Sequence, residues 1–183
     1  AAEEEEPPRT LVCYKEAQSV AKLDPRPDEW TGTFRDARPI NPRGAMPENA
    51  LSGTLFAANA QRVDSLVVDA RAFGLHRIWR NTSVGAAAAE AGSEAAPVTV
   101  PTVGLLGHEW DEAVDNGWQP AALHRLSATT VDNVQGLQDH GATFDTGSAT
   151  HALVLHRGPD GKGGLTFGAG TVQWSWGLEG LRD

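Results

Sequence analysis

Short apolar runs separated by turn residues predict a series of short β-strands in this chain. Residues 150–157 carry apolar side chains on both faces, which is typical of a fully buried strand. The turn sequence at 159–164 then predicts a hairpin whose second arm is 165–167. Apolar or alternating runs place the other strands at 11–14, 65–68, 76–79, 99–106, 127–131 and 172–176.

Three segments lack such a pattern. Residues 1–10 combine four consecutive glutamates with two prolines, which is typical of a solvated tail or linker. Residues 24–47 hold five prolines and are expected to be irregular, although Trp30 and Phe34 favour burial. Residues 82–98, with four consecutive alanines, are expected to form an exposed, mobile and dispensable low-complexity insertion.

The densest group of polar side chains lies at 104–118, which holds four carboxylates, one imidazole and two indoles. Glu109, Asp111 and Asp115 are candidates for a metal site, because hard cations bind several carboxylate oxygens. The spacing is not that of an EF-hand loop. The alternative is the acidic first turn of a helix, where carboxylates favour the helix dipole.

The glycines at 168 and 170 also have two interpretations. A glycine-rich turn after a strand lets backbone N–H groups approach a ligand. Alternatively, Gly168 and Gly170 allow tight packing or a positive φ.

The composition limits the kinds of partner that the chain is expected to bind. The 183 residues suggest one domain, and the net charge of -9 argues against nucleic acid and anionic membrane surfaces. No apolar run is long enough to span a bilayer. Cys13 is the only cysteine, so no internal disulfide forms; a buried thiol is favoured over a nucleophile. The histidines lack paired zinc spacing and are expected to be structural or solvated.

Six blocks of sequence in order resemble the C-terminal part of the N,N-dimethylformamidase large-subunit family; they occupy residues 11–15, 29–36, 47–56, 77–82, 109–117 and 167–177. The resemblance implies an α/β fold similar to a class I glutamine amidotransferase (flavodoxin-like), a mostly parallel sheet with helices on both faces, with extra β-hairpins and long loops. It also implies hydrolysis of a small formamide at a mononuclear iron held by two tyrosines and a glutamate. Many relatives are larger, and some are secreted, so the compartment stays open between secreted and cytoplasmic.

Carried over to this chain, the resemblance assigns the metal-binding glutamate to Glu109. Because Glu109 follows the apolar run 103–106 and stands beside Trp110, it is expected to be a buried carboxylate that binds the metal or, in a structural derivative, pairs with Arg80 or Arg125. It makes His108 and Asp111 candidates for orienting that ligand, and Asp115 a candidate base. The two tyrosine ligands are expected upstream of residue 11, and the only tyrosine, Tyr14, lies after that region. Residues 11–183 are therefore expected to be the C-terminal portion of the domain.

Two functions follow from this expectation. In the first, the chain contributes to a metal-dependent amide hydrolase when it is joined to its N-terminal half or a partner subunit, and it has no activity alone. Alternatively, it is a non-catalytic structural or interaction subunit that assembles with a partner or with itself. Both predict an oligomer or a larger assembly rather than a stable isolated monomer.

Overall fold

A computed structural model describes residues 33–39, 41, 44–141, 143–158 and 163–178. The predicted tail at 1–10 and the predicted strand at 11–14, with Cys13 and Tyr14, lie outside the described residues. No helix in the described part of the chain has the length and apolarity needed to cross a membrane.

Nine strands, three α-helices and three 3-10 helices make up the described part of the chain. The strands are β1 Leu55–Asp64, β2 Val67–Asp69, β3 Pro97–Thr99, β4 Leu106–Glu112, β5 His124–Arg125, β6 Thr129–Leu137, β7 Phe144–His151, β8 Val154–Arg157 and β9 Leu165–Gly168. The α-helices are α1 Asn49–Ser52, α2 Ala70–Phe73 and α3 Ser83–Ala91, and the 3-10 helices are Arg77–Trp79, Gly92–Glu94 and Trp174–Leu178.

The centre of the fold is a closed four-stranded barrel in the order β1, β4, β7, β6. Strand β6 pairs with β7 along most of its length, and β1 pairs with both β4 and β6. The β4–β7 contact that closes the barrel is a single pair, Glu112 with His151. The backbone N–H of Thr150 donates a hydrogen bond to the Glu112 carboxylate, which reinforces this closing pair.

Two smaller sheets flank the barrel. Strands β2 and β3 form one, and β5, β8 and β9 form the other. The predicted hairpin is confirmed, because β8 and β9 pair in register from Val154 with Gly168 to Arg157 with Leu165. The strand predicted at 127–131 is also confirmed as the beginning of β6.

One core joins these parts. The largest fully buried side chain is Trp110, which packs in the same cluster as Ala58, Leu106 and Val134 of the barrel. The cluster continues into the β2–β3 sheet and the helices through Leu66, Val68, Ala70, Val84, Ala88 and Ala95. The helices and the barrel are therefore parts of one packed unit.

The mostly parallel sheet implied by the resemblance is wrong for the described strands, since every pair among them is antiparallel. The reason lies in the connections. Strands β6 and β7 are joined by six residues, 138–143, whereas a parallel pair needs a crossover of about a dozen or more. The described fold is mixed α/β with few helices and mostly antiparallel sheets.

Residues 82–98 are not the exposed loop that their composition predicts. Thr82 caps α3 by accepting a hydrogen bond from the Gly85 N–H, and Val84 and Ala88 are buried. Pro97–Thr99 then pairs with Val67–Asp69 as an edge of the small sheet. Alanines favour a helix and let it pack closely, so a run that resembles low complexity forms a core helix.

Five other local predictions are wrong. In the strand predicted at 76–79, residues 77–79 form a 3-10 helix, and the Trp79 Nε1–H donates to the Leu126 carbonyl at 2.9 Å. The segment predicted at 172–176 is also largely 3-10 helical.

The strand predicted at 99–106 does not form, because β3 ends at Thr99, β4 begins at Leu106 and residues 100–105 lie in neither. Residues 150–157 span two strands interrupted at 152–153, and Phe34 is 71% exposed rather than buried.

Candidate functional site

Strand β4 carries the candidate residues, so the acidic stretch is a strand and not the first turn of a helix. Successive side chains of a strand point to opposite faces. Trp110 points into the core, and Glu109 and Asp111 lie on the other face. Glu109 is exposed, which overturns the expectation that it is a buried carboxylate, and Asp111 is the half-buried one of the two.

His108 lies at an irregularity of the β1–β4 ladder, where the register shifts between Ala60 and Val63. Its φ is +61°, and its side chain is exposed. Asp115 is also exposed, beyond the end of β4. The structure therefore brings neither residue into the group around Asp111 described next.

Asp111 is held at two points. Its carboxylate accepts a hydrogen bond from the Thr54 hydroxyl at 2.8 Å, and its backbone N–H donates to the Gly170 carbonyl at 2.8 Å. Burial raises the pKa of Asp111 above its ordinary value, and the negative charges of Glu48 and Glu109 act in the same direction. The Thr54 hydrogen bond and the charge of Arg35 oppose that rise.

Arg35 and Glu48 form an ion pair beside Asp111. Arg35 Nη1 also donates to the Phe56 carbonyl at 3.1 Å, and the Phe56 N–H donates to Glu48 Oε1 at 3.2 Å. Phe56 is the residue of β1 that pairs with Asp111. We call Arg35, Glu48, Thr54, Glu109 and Asp111 the Asp111 cluster.

Gly170 separates this cluster from the barrel interior. A Cβ built at Gly170 would lie 3.4 Å from the Asp111 Cβ and 3.3 Å from His151 Nε2, and its φ is +60°. At Gly168, a Cβ would lie only 2.7 Å from the Ser52 carbonyl oxygen. Of the two interpretations of these glycines, the structure supports close packing and positive φ.

His151 lies fully buried inside the barrel, against Trp110. The two rings make a T-shaped contact with centroids 6.1 Å apart, and His151 Nε2 is 2.8 Å from the Ala169 carbonyl oxygen. Because a carbonyl oxygen can only accept, Nε2 carries a proton in this contact. Burial lowers the pKa of His151 to about 4.

The depressed pKa predicts a loss of stability in acid. Between about pH 4 and 6.5 an unfolded His151 binds a proton and the folded one does not, so stability falls as the pH decreases through this window. The shift corresponds to about 3 kcal/mol at most. The raised pKa of Asp111 acts in the opposite sense, because its folded form keeps a proton to higher pH.

Urea denaturation at pH 7 and pH 4.5 measures this effect. We expect His151→Gln to lose a smaller part of its free energy of unfolding than the parent between these two values. His124→Gln, at an exposed histidine, serves as the matched control and should follow the parent. Equal losses in the parent and in His151→Gln would show that His151 is not the titrating group.

The metal prediction requires several donors around Glu109. Among the described residues, no group of three or more His, Cys, Asp or Glu side chains has the geometry to hold a metal ion. The two arginines expected as alternative partners of Glu109 contact another group or are exposed to solvent. Arg125 Nη2 donates to the Ala113 carbonyl at 2.7 Å, and Arg80 is exposed.

Sequence reasoning missed Arg35, Glu48 and Thr54 as members of the cluster. A signal was present, because Arg35 lies in the block at 29–36, and Glu48 and Thr54 lie in the block at 47–56. Asp111 and Gly170 come from two further blocks. Four of the six blocks thus converge on one face of β4, although they are far apart in sequence.

This convergence agrees with a comparison of the whole chain with protein families. The family model described as N,N-dimethylformamidase beta subunit-like, C-terminal, matches residues 1–183. The chain belongs to this family. No match was found among the curated proteins or among the solved structures. As a C-terminal domain of a dimethylformamidase beta subunit-like protein, the chain is expected to occur within a larger protein or subunit.

Proposed function

We propose that this chain is the C-terminal part of a dimethylformamidase-like hydrolase and contributes Glu109 to a metal site that acts on a small non-peptide amide. The exposure of Glu109 within the Asp111 cluster carries the proposal. An exposed carboxylate on a rigid strand is accessible to groups from another part of the protein, whereas a carboxylate already buried in an ion pair is not. The glutamine amidotransferase-like sheet is proposed for the N-terminal half.

Iron is the metal of this proposal, and the carboxylates of the chain are suitable donors for it. Carboxylate oxygens suit a hard cation such as iron, and Glu109 supplies one such ligand. The described residues alone do not complete a site, so the remaining donors would come from the N-terminal half or a partner subunit. When bound, such a metal supplies Lewis-acid polarisation of the amide carbonyl and an activated water.

Asp111 has a positioning role in this proposal. Its charge interacts with that of Glu109, and its carboxyl group is fixed by Thr54. Because its pKa is raised, Asp111 takes up a proton more readily than an exposed aspartate, and the protonated form does not repel the Glu109 carboxylate. A cation at Glu109 would instead favour the charged form of Asp111. We assign no role to His108 or Asp115.

The test uses the complete protein, with the N-terminal half joined to this chain or co-expressed with it. Glu109→Gln changes one oxygen for an amide and leaves the size of the side chain nearly the same. We expect it to lower hydrolysis of N,N-dimethylformamide by at least about 100-fold, because a metal ligand is lost, with assembly intact. The matched control is Glu90→Gln, at an exposed glutamate of α3.

Either of two results would overturn this proposal. One is a Glu109→Gln protein that keeps the parental rate. The other is a complete parent protein that binds metal but does not hydrolyse any small formamide or acetamide. An equal loss in Glu90→Gln would point to a general fault in the preparation rather than to Glu109.

A second function is favoured by exposed apolar side chains beside β4, on α1 and on β9. Val172, whose N–H donates to the Glu109 carbonyl at 3.2 Å, is 58% exposed. Leu51 of α1 and Leu165 of β9 are 80% and 62% exposed, and α1 contacts β9. Exposed apolar groups of this kind mark association surfaces. If the chain is a non-catalytic subunit, it assembles through these apolar side chains. Glu109→Gln then leaves the activity of the complete protein unchanged.

A further inference from the structure

A small cavity lies at the end of the barrel where β4 meets β7. Its volume is about 110 Å³. Four of the seven lining residues have small apolar side chains; the lining residues are Glu112, Ala113, Val114, Arg125, Ala128, Thr150 and Ala152. The cavity is therefore lined by polar and apolar groups in similar measure, with one carboxylate and one guanidinium among them, and it is partly open to solvent.

The two charged side chains do not pair with each other, although both line the cavity. Instead, each contacts backbone: Glu112 Oε1 accepts from the Thr150 N–H, and Arg125 Nη2 donates to the Ala113 carbonyl at 2.7 Å. Within the described part of the chain, Glu112 Oε2 and the other guanidinium nitrogens of Arg125 have no hydrogen-bond partner. The backbone contacts hold both groups in place, and each group keeps unused bonding capacity.

We propose that this cavity binds a small zwitterion, of the class of glycine or another small α-amino acid. The ammonium group would donate to the Glu112 carboxylate, and the ligand carboxylate would accept from the Arg125 guanidinium, whose fork matches carboxylate geometry. A ligand of one charge only would leave one of the two protein groups without a counter-charge. The pair of opposite charges thus selects a ligand that carries both.

The size of the cavity supports the same class. About 110 Å³ is several times the ~10–15 Å³ of cavity volume that a single water needs, so the cavity has room for a small organic ligand. Glycine is of this size, and its methylene group would contact the alanines at 113, 128 and 152.

This site is separate from the Asp111 cluster. Asp111 and Glu112 are neighbours in β4, so their side chains point to opposite faces of the strand. The proposed zwitterion site uses no residue of the Asp111 cluster and needs no metal. The two proposals can therefore fail independently of each other.

Isothermal titration calorimetry of the complete protein, in which this chain is joined to its N-terminal half, tests the proposal with glycine as the ligand. We expect saturable binding with a Kd on the order of millimolar, which is typical of so small a ligand, and binding of neutral acetamide at least about ten times weaker. Arg125→Met should weaken glycine binding at least about tenfold, because the carboxylate partner is lost. Arg157→Met, at an exposed arginine of β8 that does not line the cavity, is the matched control.

A steric variant tests the same site without changing its charges, in case a charge variant fails to fold. Ala128→Leu fills the cavity and leaves both charges in place, so it should abolish glycine binding while the melting curve stays cooperative. Glu112 is less suitable, because its carboxylate also supports the closing pair of the barrel. The proposal is overturned if the parent shows no saturable binding of glycine. It is also overturned if acetamide binds as tightly, or if Arg125→Met and Ala128→Leu bind like the parent.

Discussion

Replacing Trp110 by alanine should destabilise the chain by about 3–5 kcal/mol. Trp110 is 0% exposed and is the largest fully buried side chain of the described residues. It packs in the barrel core with Ala58, Leu106 and Val134, so its removal leaves a large cavity among buried side chains. Domains of this size are stable by about 5–15 kcal/mol in total, so the variant is expected to lose a large part of its stability.

The matched control is Trp118→Ala, which removes the same side chain from a position that is 44% exposed. It should change the free energy of unfolding by less than about 1 kcal/mol. Urea denaturation followed by circular dichroism measures both variants. Similar losses in Trp110→Ala and Trp118→Ala would contradict the central position of Trp110 in the core.

A third variant examines the indole N–H. Trp110 Nε1 is buried and has no hydrogen-bond partner among the described residues. An unsatisfied buried donor is destabilising by about 1–3 kcal/mol. Trp110→Phe removes this donor and keeps an aromatic ring, so it should be clearly less destabilising than Trp110→Ala.

The second large effect is expected at Ala88 of α3, with its neighbour Ala89 as the matched control. Ala88 is 3% exposed, and a Cβ built at Gly74 would lie only 2.5 Å from the Ala88 Cβ, so the two elements are in close contact. Ala88→Glu must place a carboxylate where there is neither room nor water. We expect a loss of at least about 3 kcal/mol, from overpacking and from burial of a polar group.

Ala89→Glu introduces the same residue one position later, on the exposed face of the helix. It should stay within about 0.5 kcal/mol of the parent. Thermal or urea denaturation of the pair decides whether residues 82–98 are core or dispensable. If both variants have parental stability, α3 does not pack as described, and the segment is the exposed insertion that its composition predicts.

Local patterns predicted those parts of the fold that depend on local chemistry. The turn sequence at 159–164 identified the β8–β9 hairpin, because glycine and proline restrict the backbone whatever surrounds them. The β-branched run at 127–131 identified the beginning of β6. The family resemblance, carried by blocks between residues 11 and 177, identified the stretch that contains β4, and the family model matches residues 1–183.

The parts of the fold that the sequence did not predict depend on contacts between distant segments. Alanines fit an exposed loop and a packed helix equally well, and the burial of Val84 and the approach of Gly74 to Ala88 distinguish them. Strand direction follows from which strands meet, and no periodicity encodes that. Glu109 and Asp111 could not be ranked by burial from sequence, because Thr54, Arg35 and Glu48 approach Asp111 from other blocks.

The central claim is that Glu109 serves a metal site completed by the rest of the protein. Metal analysis by inductively coupled plasma mass spectrometry of the complete protein, parent beside Glu109→Gln from matched preparations, tests it most directly. We expect the parent to contain close to one equivalent of iron per copy of this chain and Glu109→Gln to contain almost none, with the same assembly by light scattering. A parent without stoichiometric metal, or a Glu109→Gln protein that keeps it, would contradict the claim.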